Sequence, residues 1–142
     1  MTLFFPDDWT IYRGDFFHFT ARGIAPNKLT AWMDYRGLSH SLHDDESKNR
    51  YAVGWYGAMS KNYPNWKYEY QRRNPEDPEG TFEFEGTYRE GATIFRKIGR
   101  LRFRGKRLHA IYYTAPDEDF DIVRNLFERM DSMHRYFSPQ NR

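Results

Sequence analysis

From Trp66 to Ala115 the chain alternates bulky apolar side chains with charged ones through four successive segments, and that alternation limits what it can fold into. Trp66, Tyr68 and Tyr70 interleave with Lys67, Glu69 and Gln71, Phe82 and Phe84 with Glu83 and Glu85, and Leu101 and Phe103 with Arg100, Arg102 and Arg104. Side chains of a strand point alternately to opposite faces, so the pattern predicts one antiparallel sheet with an apolar side and a charged side. After Pro116 the period changes. Phe120, Val123, Leu126, Phe127, Met130, Met133 and Phe137 fall three and four residues apart, the stripe of an amphipathic helix able to cover the apolar side.

A chain of 142 residues suits a single domain, residues 1–142. Only 39% of it is apolar, yet it holds 12 Phe, 11 Tyr and 4 Trp, so a few large rings must fill the core. With 22 basic and 20 acidic side chains, net charge gives no strong field for nucleic acid. The absence of cysteine excludes a disulfide framework, a thiol nucleophile and a thiolate metal site. Met1 to Asp8 has no basic region followed by an apolar stretch, and no run approaches the roughly 18 apolar residues of a bilayer span. A soluble, cytoplasmic protein with no membrane contact is the expectation.

Before Trp66, an extended stretch from Thr10 to Thr20 in which Gly14 marks a turn or a bulge, a turn at Ala25-Pro26-Asn27-Lys28 and a strand from Leu29 to Arg36 predict an N-terminal hairpin. Between His40 and Tyr63 the spacing of Ala52, Trp55, Tyr56, Met59 and Tyr63 predicts a middle helix ended by Pro64. Gly54 and Gly57 weaken it, each by up to about 1 kcal/mol relative to alanine. Asn74 to Gly80 is the most polar loop, and Asp117, Glu118 and Asp119 place carboxylates where the dipole of the last helix favours them.

Two clusters carry candidate chemistry. His40 and His43, followed by Asp44, Asp45 and Glu46, would share a face and could bind zinc if helix began at His40. The cap reading is stronger: Ser41 with Asp44 three residues later resembles a helix N-terminus. No metal or other cofactor is expected. The second cluster is Arg96, Lys97, Arg100, Arg102, Arg104, Lys106 and Arg107, in which alternate arginines would stand about 6.6 Å apart on one face. Cross-strand pairing with Glu83 and Glu85 accounts for part of this charge. Three arginines facing two glutamates leave an excess, so Arg96, Arg100, Arg102, Arg104, Lys106 and Arg107 are expected to bind another protein with an acidic surface.

Nucleic acid is not expected. Tyr68, Tyr70, Arg72 and Arg73 interleave rings with cations as base-stacking surfaces do, but no RNA-recognition motif accompanies them. Nor is there a Gly-x-Ser-x-Gly elbow, a glycine-rich phosphate loop or a His-Glu-x-x-His pair.

The opening Pro6-x-x-Trp9, the strand containing Ala110-Ile111-Tyr112-Tyr113 and the helix running from Phe120 to Asp131-Ser132-Met133 carry a resemblance over Pro6 to Phe137. In this order of elements the chain resembles the PsbP-like and DcrB-like α/β sandwich family, although many members close with Ser-Phe where this chain has Ser132-Met133. The resemblance implies a binding or chaperone-like role, since members include photosystem accessory proteins, a nuclear-transport GTPase partner and secretion-system adaptors. The expectation is therefore an α+β domain: an antiparallel sheet, an N-terminal hairpin, and a middle and a C-terminal helix packed on one face. Its expected role is that of a non-enzymatic protein-binding or accessory module. The alternative is a helix-grip small-molecule binder, in which the sheet wraps the last helix around a cavity; an enzyme using His40, His43 and Asp44 stands third.

Overall fold

The computed structural model describes residues 2–14, 19–24, 26 and 30–136, with backbone only at 14 and 19–24. The sequence-predicted turn at 25–28, the strand start at Leu29 and the stripe's last ring, Phe137, lie largely or wholly outside these residues. Strands β1 (Thr10–Gly14), β2 (Phe19–Ile24) and β3 (Trp32–Ser39) precede helix α1 (Asp45–Asn62). Strands β4 (Lys67–Arg73), β5 (Thr81–Glu90), β6 (Thr93–Arg104) and β7 (Arg107–Pro116) lead through a short 3-10 turn to helix α2 (Phe120–Met133). All seven strands form one sheet in the order β1-β2-β3-β7-β6-β5-β4, with every neighbouring pair antiparallel. The stretch from Thr10 to Thr20 is divided between β1, which ends at the expected break, Gly14, and β2, so the N-terminal hairpin grows into a three-strand meander joined to β7 through β3.

The helices do not share a face. On β7, Leu108 and Ala110 pack with Ala52, Trp55 and Met59 of α1, whereas Ile111, Tyr113 and Ala115 pack with Phe120, Val123, Phe127 and Met130 of α2. The sheet is therefore the middle layer of three, and the expectation of two helices on one face is overturned. The physical reason lies in β7, whose side chains are apolar on both faces and need cover twice. Because α1 connects β3, third in the sheet, to β4 at its edge, it must cross β7, β6 and β5 on its way.

A second departure comes at Glu69. A β-bulge between Tyr68 and Tyr70 shifts the register, so Tyr68 pairs with Gly86 on the α1 side while Tyr70 pairs with Glu85 on the other. Trp66, Tyr68 and Tyr70 thus do not form one continuous row.

Rings fill the α1 side. Phe84 is fully buried, with its centroid 4.9 Å from Trp55 and 5.5 Å from Trp66. Its ring lies over Gly99 of β6, where a Cβ would collide with it. The space beneath Tyr68, Phe84 and Phe103, where a helix-grip binder would hold its cavity, is occupied among the described residues by the rings themselves. Gly99→Ala is expected to cost about 1 to 3 kcal/mol through overpacking against Phe84, measured by urea denaturation.

Candidate functional site

The sequence-predicted basic stripe is largely occupied from within the chain. Arg100 donates to Asp131 at 2.7 Å and to Glu128 at 2.8 Å; Arg102 donates to both oxygens of Asp131, at 3.1 and 2.6 Å, and to the Tyr136 hydroxyl. Arg96 meets Asp117, Glu85 and Glu69, and Arg104 meets Asp77 at 2.9 Å. Of the six expected partner-binding side chains, Arg107 reaches only Ser39 and Lys106 stays exposed. The carboxylates came from α2 and from loops, not chiefly from the neighbouring strand. Nothing in the strand alternation signals this. The helical spacing does: Phe127 and Asp131 are four residues apart, so the acid lies on the buried face.

Burial raises the Asp131 carboxyl, but its hydrogen bonds from Arg102 and Tyr113 and the charges of Arg102 and Arg100 outweigh that and bring it down to about 2. A proton chain continues from it. Phe4 N–H donates to His134 Nδ1 at 2.8 Å, which leaves Nε2–H to donate to the Tyr113 oxygen at 2.9 Å, and Tyr113 in turn donates to Asp131 at 2.8 Å. Burial lowers His134 to about 4 and His109, hydrogen-bonded to Tyr35, to about 3. Arg124 clasps Glu85 through two nitrogens at 2.9 Å each. On α2, Leu126 is partly buried and Met133 is 43% exposed.

The histidine–acid cluster resolves as a cap. Helix α1 starts at Asp45, and its N-cap is Asp44, whose carboxylate accepts from Ser47 N at 2.7 Å. Ser41 lies outside it. His40 packs edge-on against Phe103 at 5.1 Å while His43 is exposed, so the two imidazoles share no helical face. Among the described residues, no group of three or more His, Asp or Glu side chains is placed to hold a metal.

Two open features among the described residues lie around edge strand β4. On its α1 side is a shallow groove of about 390 Å³ lined by Val53, Tyr56, Gly57, Tyr68 and Gln71, none of them charged. On its other side, a cleft of about 470 Å³ is lined by Asn65, Lys67, Thr87, Tyr88, Arg89 and Ile94. Lys67 stands opposite Thr87 and Arg89 opposite Ile94 in the register, so one face carries both cations. Among the described residues neither cation meets a carboxylate.

Asp131→Ala is expected to cost about 3 to 5 kcal/mol, because it leaves the buried Arg102 guanidinium without a carboxylate, the Tyr113 hydroxyl without its acceptor and Arg100 with Glu128 alone. Stability is also expected to fall on mild acidification. A histidine held below its ordinary 6.5 binds its proton more readily in the unfolded chain, so its contribution is complete above pH 6.5 and drains as pH falls toward about 4 for His134 and about 3 for His109. Each group contributes a slope of at most about 1.4 kcal/mol per pH unit, and His134→Gln should remove one such slope in urea titrations across that window.

No family model matches the chain, and no curated protein matches its sequence. Solved structures do. Cyanobacterial PsbP (CyanoP) from Synechocystis superposes with a TM-score of 0.67 at 11% identity, covering 93% of this chain and 84% of that one. A Pseudomonas aeruginosa protein of unknown function gives 0.63 at 7% identity, over 94% of this chain and 86% of that one. LpqN of Mycobacterium tuberculosis, involved in cell envelope biogenesis, gives 0.55 at 12% identity, over 92% and 79%. No helix among the described residues is long and apolar enough to cross a membrane. At these identities the likeness is one of architecture: the chain has an α+β fold similar to that of PsbP.

Proposed function

We propose that this protein is a non-enzymatic accessory module that binds another protein, of acidic surface, at the corner where α1 meets edge strand β4. The observation that supports this reading is the contrast between two sets of cations. The arginines of β6 are committed to the chain's own acids, whereas Lys67 and Arg89 border an open cleft with no carboxylate partner among the described residues. An acidic partner complements this corner. The uncharged groove across β4 offers it apolar contact, with Val53 68% exposed.

Helix α1 bears marks of the same use. Gly54 and Gly57 are exposed in its middle, and a Cβ at either would meet nothing within 4 Å. Packing within the chain therefore does not require them, and each costs the helix stability. A chain lying against α1 gains close approach from a missing side chain. Gly54→Ala and Gly57→Ala are each expected to raise stability by about 0.5 to 1 kcal/mol in denaturant titrations.

A photo-reactive amino acid at Val53, compared with one at Ile122 on the exposed side of α2, tests the location. The reading expects a crosslinked acidic protein from Val53 in the native host and none from Ile122. Crosslinking from Ile122 alone, or to a partner of basic surface, would overturn it.

A further inference from the structure

Strand β4 ends the sheet, so one side of its backbone has no neighbouring strand among the described residues. An unpaired edge of this kind takes an extended peptide by main-chain hydrogen bonding, and the side chains of the added strand then alternate between the two faces. Here the two faces differ in chemistry. Tyr68 and Gln71 point to the α1 side, where the uncharged groove receives them with Val53, Tyr56 and Gly57. Lys67, paired with Thr87, and Arg72, paired with Glu83, point to the other side, in line with the cleft holding Arg89.

We infer that the ligand of this edge is an extended segment of a partner protein in which apolar and acidic residues alternate, added to the sheet as an eighth strand beside β4. Its apolar side chains enter the groove over Gly57, and its carboxylates meet Lys67 and Arg89. This rests on the accessory-module reading and adds the form and sequence pattern of the ligand.

Features of the edge narrow the choice of occupant. Lys67, Arg72 and Arg73 lie along β4, and basic side chains on an edge discourage pairing with a second copy of the same edge. Arg72 and Arg73 are paired with Glu83 and Asp45, so Lys67 is the β4 cation left for an acidic strand. The bulge at Glu69 interrupts the run of free backbone groups. Main-chain bonding is thus limited to short stretches on either side of the bulge, so side-chain complementarity must supply much of the selectivity.

The test is selection from a displayed library of random ten-residue peptides on the intact protein. Recovered peptides should alternate apolar residues with Asp or Glu, and their synthetic forms should slow amide exchange in β4. The double variant Lys67→Glu, Arg89→Glu removes two exposed cations that make no ion pair with described residues, so it should fold normally. It should weaken binding by at least about tenfold, with affinity falling as salt rises. Enrichment of peptides lacking that alternation, binding unchanged in the double variant, protection confined to other strands, or no enrichment would overturn the inference. If crosslinking from Val53 to an acidic protein still occurs in any of those cases, the accessory-module reading stands and only the strand-addition mode fails. Self-association of the protein through β4 in sedimentation would also overturn the inference, by naming a second copy as the occupant.

Discussion

The carboxylate of Asp131 decides how this molecule is layered. A guanidinium removed from water without a partner costs several kcal/mol, so Arg100 and Arg102, with side chains only 12% and 14% exposed, can sit beneath a helix only because that helix brings an acid to them. One residue therefore turns what the strand pattern presents as a solvent face into an interior. The Tyr113 hydroxyl and His134 extend the same contact to the N-terminal segment at Phe4. Hydrophobic burial of Phe120, Val123, Phe127 and Met130 gives α2 a reason to dock. The ion network gives it a single register in which to do so, since apolar contact alone is tolerant of sliding.

The opposite face is organised by ring packing. Trp55, Trp66, Tyr68 and Phe84 interlock at centroid distances between 4.9 and 6.1 Å, favouring tilted and edge-on geometries. The two interfaces thus differ in kind. The one under α1 is built of rings and hydroxyl tips, such as Tyr112 accepting from Trp55 Nε1, around the buried Lys97, whose ammonium donates to Thr114 Oγ1 and lies over the Tyr63 and Tyr112 rings, and the one under α2 is salted. Both leave the β4 corner open, because α2 lies over the centre of the sheet and α1 approaches β4 only along one side of it.

Much of the fold was legible in the chain. The segments between Trp66 and Ala115 became β4 to β7, and the helical spacing became α1 and α2. Periodicity reports which residues share a face but not which object covers that face, and this is why the layering was misread. The run Leu108 to Ala115 held the missing information: a strand apolar at successive positions is buried on both sides. The bulge at Glu69 was hidden because a register shift leaves composition untouched. The candidate surface was less legible still. The arginines of β6 drew notice by number and spacing, while Lys67 and Arg89, isolated in sequence, become a pair only through the β4–β5 register. Which cation is already satisfied is a tertiary fact.

The position of β7 has a consequence for how the chain behaves when it is not fully folded. Its pairing with β3 joins residues roughly seventy apart across α1 and three strands, whereas β4 to β7 are joined by short local turns. Closing the longer loop is the entropically harder step, so the local meander can exist before the N-terminal strands arrive. In that interval β7 is an outer strand, apolar on both faces and poor in charge, and such an edge templates pairing between chains. The N-terminal meander then acts as a built-in shield, and its docking rate relative to chain concentration sets whether the protein folds or aggregates.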